Sequence, residues 1–225
     1  MRITSRGIII LFALAASTSV LYGQDVSTYR TFKLGMTLAD ISHQVDMTVA
    51  QATVICQQPA LVQELNWWPL PNGEDSSKKE AVQQITFSFY EGALYKITVS
   101  YETSATVGLT PADMVELLTR EFGPSAASAA RISFPPNSSL NGASEKVLAR
   151  WEDAQHSSNL FQTSLMGAYG LVIFTKQTDV QAAAAIARSE VLVRQSAPQT
   201  EAARLKKEAS DLELTRQKNK KAFRP

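Results

Sequence analysis

One seven-residue pattern occurs twice in this chain and constrains its fold more than any other feature. Gly-Met-Thr-Leu-Ala-Asp-Ile at residues 35–41 returns as Gly-Leu-Thr-Pro-Ala-Asp-Met at residues 108–114. In each copy a threonine stands where a helix N-cap is expected, and the aspartate three residues later can accept hydrogen bonds from free backbone N–H groups. Pro111 falls at the first helical position, where proline is favoured. Both copies therefore predict helix starts, at Thr37 and Thr110.

Residues 83–101 alternate between apolar and polar side chains, which is typical of two strands with one buried face. We expect a hairpin that turns about Gly92 through a loop of odd length. A two-residue loop would place Phe87 opposite Lys96 and mix the two faces of the sheet. The expected pairs are Phe89–Tyr95, Phe87–Ile97 and Ile85–Val99.

Residues 159–175 repeat this alternation about Gly167. The expected pairs are Phe161–Ile173 and Leu165–Tyr169. The two pivots lie 75 residues apart and the two caps 73 residues apart, so two features indicate one duplicated unit. The sequence therefore predicts an α+β fold of two units, each a helix followed by an antiparallel meander of about three strands, with a long C-terminal helix.

Residues 1–23 have the form of a secretory signal peptide. Two arginines precede an uninterrupted apolar run at residues 8–16, and small residues follow it. The run is shorter than the roughly 20 apolar residues that span a bilayer. We expect cleavage after Gly23, or alternatively after Ala16, to give an exported protein, periplasmic or secreted, with no transmembrane segment.

The remaining chain divides into a first repeat at residues 24–107, a second repeat at residues 108–177 and a helical tail at residues 178–225. The alanine-rich start of the tail predicts a helix that packs on the body, and Pro198 is expected to interrupt it. The basic end of the tail is expected to be partly disordered. About two heptads of coiled-coil spacing follow the proline, formed by Ala202, Leu205, Ala209 and Leu212.

Charge separates an acidic body from a basic tail. Residues 24–198 carry 12 basic and 17 acidic side chains, whereas residues 199–225 carry 8 and 4. Such a basic run is typical of a solvated helix, and also of a segment that touches an anionic surface, such as lipid headgroups or an acidic partner. We expect no nucleic-acid partner. The candidate contacts with an anionic surface are Arg216, Lys218, Lys220, Lys221 and Arg224.

Catalytic signatures are sparse. The two histidines, His43 and His156, belong to no metal-binding helix motif, and the sequence has no nucleophile elbow, phosphate-binding loop or dinucleotide fingerprint. Cys56 is the only cysteine, and its apolar neighbours predict a small buried residue rather than a reactive thiol. We therefore predict no catalytic residue, no cofactor and no metal.

Two adjacent tryptophans, Trp67 and Trp68, precede the first hairpin. Neighbours on a strand point to opposite faces, so one is expected in the core and the other facing outward. The alternative is that the loop at residues 69–80 covers both. An exposed aromatic side chain is a frequent anchor for a protein partner, which makes Trp67, Trp68 and Tyr90 candidate protein-binding residues.

The helix opening at residues 35–41, within Phe-Lys-Leu-Gly-Met-Thr-Leu-Ala-Asp-Ile, resembles that of the SmpA/OmlA-type outer-membrane assembly lipoproteins. The tandem arrangement with residues 108–114 resembles the repeats of β-lactamase inhibitory proteins. These resemblances imply helices packed on an antiparallel sheet, no active site, and a sheet or loops that bind another protein. The chain departs from the lipoprotein pattern because it lacks the cysteine that carries the lipid.

These features favour an exported, noncatalytic protein-interaction module of the cell envelope, with another envelope protein as its partner. One alternative is an envelope hydrolase or transferase whose site is built from dispersed residues. A second is a proteinaceous inhibitor of a secreted enzyme. A pocket with convergent polar side chains around His43 or His156 would favour an enzyme, and a flat sheet face with an exposed tryptophan would favour the module.

Overall fold

The computed structural model describes residues 25–69, 81–127, 131–133, 144–163 and 167–224. The predicted signal peptide, residues 1–23, lies outside these ranges. The helices are α1 (Leu38–Gln44), α2 (Thr103–Thr106), α3 (Pro111–Phe122) and α4 (Lys176–Ala222), with a 3₁₀ turn at Val49–Gln51. The strands are β1 (Thr28–Tyr29), β2 (Phe32–Lys33), β3 (Thr53–Cys56), β4 (Val62–Trp67), β5 (Val82–Tyr90), β6 (Ala93–Tyr101), β7 (Ala126–Ala127), β8 (Arg131–Ser133), β9 (Ser144–Glu152), β10 (His156–Gln162) and β11 (Tyr169–Thr175).

The main sheet is antiparallel and follows the order β3-β4-β5-β6-β11-β10-β9-β7, with β8 also paired to β9. Strands β1 and β2 form a separate two-stranded ribbon. Helix α1 precedes the meander β3 to β6, and helix α3 precedes the meander β9 to β11. The two meanders join side by side through β6 and β11. The α+β fold class with a long C-terminal helix is confirmed.

Both predicted helix starts are confirmed as capping boxes. The Thr37 hydroxyl accepts a hydrogen bond from the Asp40 N–H at 3.2 Å, and the Asp40 carboxylate accepts one from the Thr37 N–H at 3.2 Å. Thr110 and Asp113 repeat this arrangement at the start of α3. The Asp113 N–H donates to the Thr110 hydroxyl at 3.2 Å, and the Thr110 N–H donates to the Asp113 carboxylate at 2.7 Å. Hydrogen bonds from the threonines lower the pKa of both aspartates, because they favour the charged carboxylate.

The glycine of each repeated heptapeptide has a backbone conformation that disfavours a side chain. Gly35 has φ +93° and Gly108 has φ +83°. The Gly35 N–H donates to the Leu94 carbonyl at 2.7 Å, and the Leu94 N–H donates to the Met36 carbonyl at 2.8 Å. The first heptapeptide is therefore a turn that is fastened to the start of β6 and leads directly into α1.

Helices α1 and α3 cover one face of the sheet. Helix α1 buries Leu38 and Ile41 there. Helix α3 buries three residues four positions apart, Met114, Leu118 and Phe122. The end of α3 is held by Trp151, whose Nε1 donates to the Gly123 carbonyl at 2.8 Å and whose ring lies 5.7 Å from that of Phe122. The core residues that the sheet contributes with full burial include Leu65, Ile85, Phe87, Phe89, Ile97, Val99, Leu160, Leu171 and Ile173.

The first hairpin has a two-residue turn, so the predicted odd-length loop is wrong. Glu91 and Gly92 form the turn with φ +50° and +82°. The pairs Phe87–Ile97 and Ile85–Val99 are confirmed, but Phe89 lies opposite Leu94. A β-bulge at Tyr95 supplies the extra residue that keeps the core face in register. The bulge also directs the Tyr95 side chain to the other face of the sheet, where it is buried.

The second hairpin is shifted from its predicted register. Phe161 lies opposite Gly170, and Ile173 lies opposite Ser158, so the predicted Phe161–Ile173 pair is wrong. Leu165, expected opposite Tyr169, lies outside the described residues. The reason for the shift is packing, because the Phe161 ring lies against Gly170, where any side chain would meet it.

Helix α4 runs without a break through Pro198, so the expected interruption is wrong. Proline removes one backbone hydrogen bond, and the carbonyl of Arg194 that loses this partner lies on an exposed stretch where water can bind it. The helix begins at Lys176, two residues before the predicted tail. Within the described ranges, no helix combines the length and the apolar character required to cross a membrane.

Candidate protein-binding surface

Helix α4 crosses the sheet face opposite to α1 and α3. It contacts β11, β6, β4 and β3. The crossing is fixed at its start by an ion pair between Lys96 on β6 and Asp179 in the first turn of α4. Lys176 adds a second anchor, since its Nζ lies 2.9 Å from a carboxylate oxygen of Glu152. The hydrogen bond from Lys176 lowers the pKa of Glu152.

A small apolar cluster lies under the first turns of α4. The buried members are Cys56, Ala60, Val62, Tyr95, Ala182 and Ala185. The Cys56 thiol lies 3.3 Å from the Ala60 carbonyl, and burial raises its pKa. The prediction of a buried Cys56 is confirmed, and its raised pKa keeps the sulfur in the weakly nucleophilic thiol form.

The polar side chains on this face of the sheet bind one another. Burial raises the pKa of Glu64, while the Ser88 hydroxyl donates to its carboxylate at 3.2 Å and opposes the shift. The Thr86 hydroxyl donates to the Asn66 side-chain oxygen at 2.7 Å, in the next row of the sheet. On the far strands, the Arg150 Nε donates to the Asn159 side-chain oxygen at 2.7 Å. These polar side chains thus hydrogen-bond to one another between neighbouring strands, which gives them a structural role in the sheet.

The clearest concave surface lies where α4 passes the edge of the sheet. A groove of about 530 Å³, here called the β3 groove, has one wall formed by β3 and the loop after it, at residues 54–58. The other wall is α4, through Leu192, Val193 and two serines. Val54, Leu192 and Val193 are all exposed. Exposed apolar side chains thus face each other across this groove.

The wall of the groove that β3 forms lies at an edge of the sheet. Within the described part of the chain, β3 pairs with β4 alone and ends the order of strands. The outer edge of such a strand carries main-chain N–H and C=O groups that can pair with another strand. The β3 groove therefore combines an edge strand with an apolar wall.

A second, smaller groove lies beside the first on α4. Its volume is about 370 Å³, and it is lined by Pro59 together with Ala187, Arg188, Val191 and Leu192. We call it the Pro59 groove. Its lining is almost entirely apolar, apart from the guanidinium group of Arg188.

The three candidate aromatic residues occupy different environments. Trp67 lies at the end of β4 and packs edge-on against Phe32, with ring centres 5.9 Å apart. Trp68 follows it, and its side chain is 57% exposed. Tyr90 is half-buried against the cluster under α4, opposite Val62 at the other end of β4. The structure therefore separates Tyr90, near the β3 groove, from Trp68 by the length of a strand.

The candidate basic residues lie together at the far end of the molecule. Lys218, Lys220 and Lys221 are exposed on the last turns of α4, and Arg224 follows the helix. Arg216 is also exposed, and its Nε lies 2.7 Å from a carboxylate oxygen of Glu213. Arg216 is thus partly neutralised within the helix, whereas the lysines extend freely into solvent.

Neither histidine lines the β3 groove or the Pro59 groove. His43 is exposed in the last turn of α1. His156 is the first residue of β10, and its N–H donates to the Asp153 carboxylate at 2.6 Å while its Nδ1 lies 3.0 Å from the other oxygen. Searched within the described ranges, the chain brings no three His, Cys, Asp or Glu side chains together as a metal site.

Sequence reasoning missed both grooves, although their apolar walls were visible as runs. Val54 and Ile55 precede Cys56, and Val191, Leu192 and Val193 form a run within the tail. Runs of this kind in an exposed helix and a short strand would have indicated a surface with a partner. Comparisons with protein-family models, curated protein sequences and solved structures return no match.

Proposed function

We propose that this chain is an exported, noncatalytic protein-interaction module of the cell envelope that binds an extended segment of another envelope protein along β3. The observation that carries this proposal is the β3 groove, in which a sheet edge runs beside the exposed Leu192 and Val193 of α4. Its titratable side chain is Cys56, a buried thiol with a raised pKa. The groove thus offers binding contacts rather than an acid and base for catalysis.

Strand addition fits the chemistry of this groove. A partner strand placed beside β3 would pair its main chain with the outer edge, which gives affinity without a particular sequence. Alternate side chains of that strand would point towards Leu192 and Val193, so apolar residues at every second position are favoured. The preferred partner is therefore an extended segment with alternating apolar side chains.

The other features of the chain support the same function. The expected signal peptide would deliver the protein to the envelope. The first helix opening resembles that of envelope assembly lipoproteins, and the tandem arrangement resembles the repeats of enzyme inhibitors; both of these families bind other proteins. The basic end of α4 would add attraction to an anionic surface, such as lipid headgroups or an acidic partner. Trp68, exposed at the far end of β4, is a further candidate contact.

A photocrosslinking experiment tests the proposed groove. A photoreactive amino acid at position 54 or 193 should capture the same protein in envelope preparations, whereas the same amino acid at position 214, exposed on α4 beyond the groove, should not. With the captured protein purified, hydrogen exchange should show slower exchange of the β3 amides in the complex, because strand addition protects them. Capture without protection of β3 would contradict strand addition, and capture at position 214 alone would place the partner elsewhere.

A further inference from the structure

Helix α4 carries a second apolar stripe on the side that faces away from the sheet. Ala182 and Ala185 are buried against the body, whereas Val180 and Val191 are exposed about half a turn away. Steps of three or four residues, with one polar position between Val191 and Pro198, continue this stripe from Val180 to Leu212, beyond which the same steps fall on polar residues. Its C-terminal part contains Ala202, Leu205, Ala209 and Leu212.

Most of α4 is exposed to solvent. Side chains are exposed throughout residues 190–224, a length of about 50 Å of helix. Isolated helices are only marginally stable in water, because their stability in proteins comes mainly from packing of an apolar face. The exposed stripe is the surface on which such packing would occur.

We propose that a second copy of this chain covers the stripe, with the two α4 helices antiparallel about a two-fold axis next to Ala202. In this register Leu212 of one copy lies beside Val191 of the other, and Leu205 lies beside Pro198. The apolar part of the overlap, residues 191–212 of each copy, spans about 33 Å and about three heptads, the least that indicates a coiled coil. Such a contact is isologous and closes after two chains.

Charge selects the antiparallel orientation. Residues 216–224 carry five basic side chains and no acidic one, so a parallel pair would place ten positive charges together. The antiparallel pair instead brings each basic end to the body of the other copy, where residues 24–175 carry nine basic and fifteen acidic side chains. The middle of the contact, residues 190–214, carries four basic and five acidic side chains and is nearly neutral.

The Pro59 groove gives this dimer a defined receiving site. Val191 and Ala187 belong both to the stripe and to the lining of that groove. In the antiparallel register Leu212 of the second copy arrives next to Val191, and the volume of about 370 Å³ is ample for a leucine side chain. The dimer is argued from the stripe and the Pro59 groove alone, so this inference does not depend on the proposed function.

Sedimentation equilibrium of the purified mature protein tests the dimer. We expect an apparent mass equal to two chains at high protein concentration. On dilution this mass should fall towards that of one chain. Leu212→Glu should weaken the dimer at least tenfold, because it places a charge in the apolar contact. Leu214→Glu is the matched control. The side chain of Leu214 is 63% exposed, against 72% for Leu212, but Leu214 lies on another face of α4, outside the stripe. A monomer at every concentration, or equal effects of the two variants, would overturn the proposal.

Cysteine crosslinking tests the orientation in a Cys56→Ala background. The double variant Val191→Cys/Leu212→Cys should form a disulfide-linked dimer on oxidation, whereas Leu212→Cys alone should not. A parallel pair would reverse the second result, because the two copies of position 212 would then be adjacent. Circular dichroism of each variant checks that the sheet and helices are retained. Crosslinking of Leu212→Cys alone would overturn the antiparallel arrangement.

Discussion

Gly170 leaves no room for a side chain in the sheet. A Cβ at this position would meet three atoms of the Phe161 ring at less than 3.0 Å. The ring cannot easily move aside, because Phe161 is buried and packs with Val172. The glycine is therefore required by a close approach between neighbouring strands, and its backbone conformation plays no part in the requirement.

Replacement of Gly170 by alanine should destabilise the protein by about 1–3 kcal/mol, the usual cost of overpacking a buried site. Urea denaturation of the purified protein measures this change. Phe161→Leu removes the ring, so adding Gly170→Ala to that variant should cost much less than it does in the parent chain. Equal costs in the two backgrounds would mean that the ring is not the obstacle.

Individual elements follow the sequence where their signals are local. The caps at Thr37 and Thr110 and the pairing of Phe87 with Ile97 could be predicted, because each depends on residues close in the chain. The bulge at Tyr95 could not, because what selects it is burial beneath α4, an element more than 80 residues away. The shift of the second hairpin likewise depends on the packing of Phe161, which alternation alone does not encode.

The start of α3 gives a test at this scale. Thr110→Ala should cost about 1 kcal/mol at neutral pH, because it removes the side-chain cap. Hydrogen bonds from Thr110 lower the pKa of Asp113 from its usual 3.8, so this stabilisation is present above about pH 4 and is lost as the pH falls through the folded pKa. The difference in unfolding free energy between the parent and the variant should therefore narrow below pH 4. Thr200→Ala, on the exposed part of α4, should show neither the cost nor the pH dependence.

The whole molecule is organised by the path of α4. Its buried contacts end before residue 190, yet they place Ser189 beside Cys56 and create both grooves at the edge of the sheet. No sequence pattern specified that crossing, because it depends on the ion pair between Lys96 and Asp179 and on a cluster drawn from three separate segments. The candidate surface therefore emerged only with the tertiary structure, whereas the basic end was visible in the sequence.

Deletion of residues 199–225 tests whether the exposed end of α4 is separable from the folded body. No described side chain in that segment is buried, so at protein concentrations low enough to dissociate the proposed dimer, the melting temperature should change by no more than about 2 °C. The deletion also removes five basic side chains near the end of the chain, so binding to anionic phospholipid vesicles should weaken strongly at low salt. At high salt the two proteins should bind equally little, because screening shortens the reach of the charges to about 3 Å at 1 M.

A variant with Lys218, Lys220 and Lys221 replaced by glutamine separates the role of charge from that of the helix. It keeps the full length of α4 and the apolar stripe, so it should retain the dimer while losing most of the vesicle binding at low salt. Unfolding of the truncated protein would mean that the segment belongs to the core. If the glutamine variant bound vesicles as well as the parent, these three lysines would contribute nothing to the attraction, which would then have to come from other basic residues of the chain.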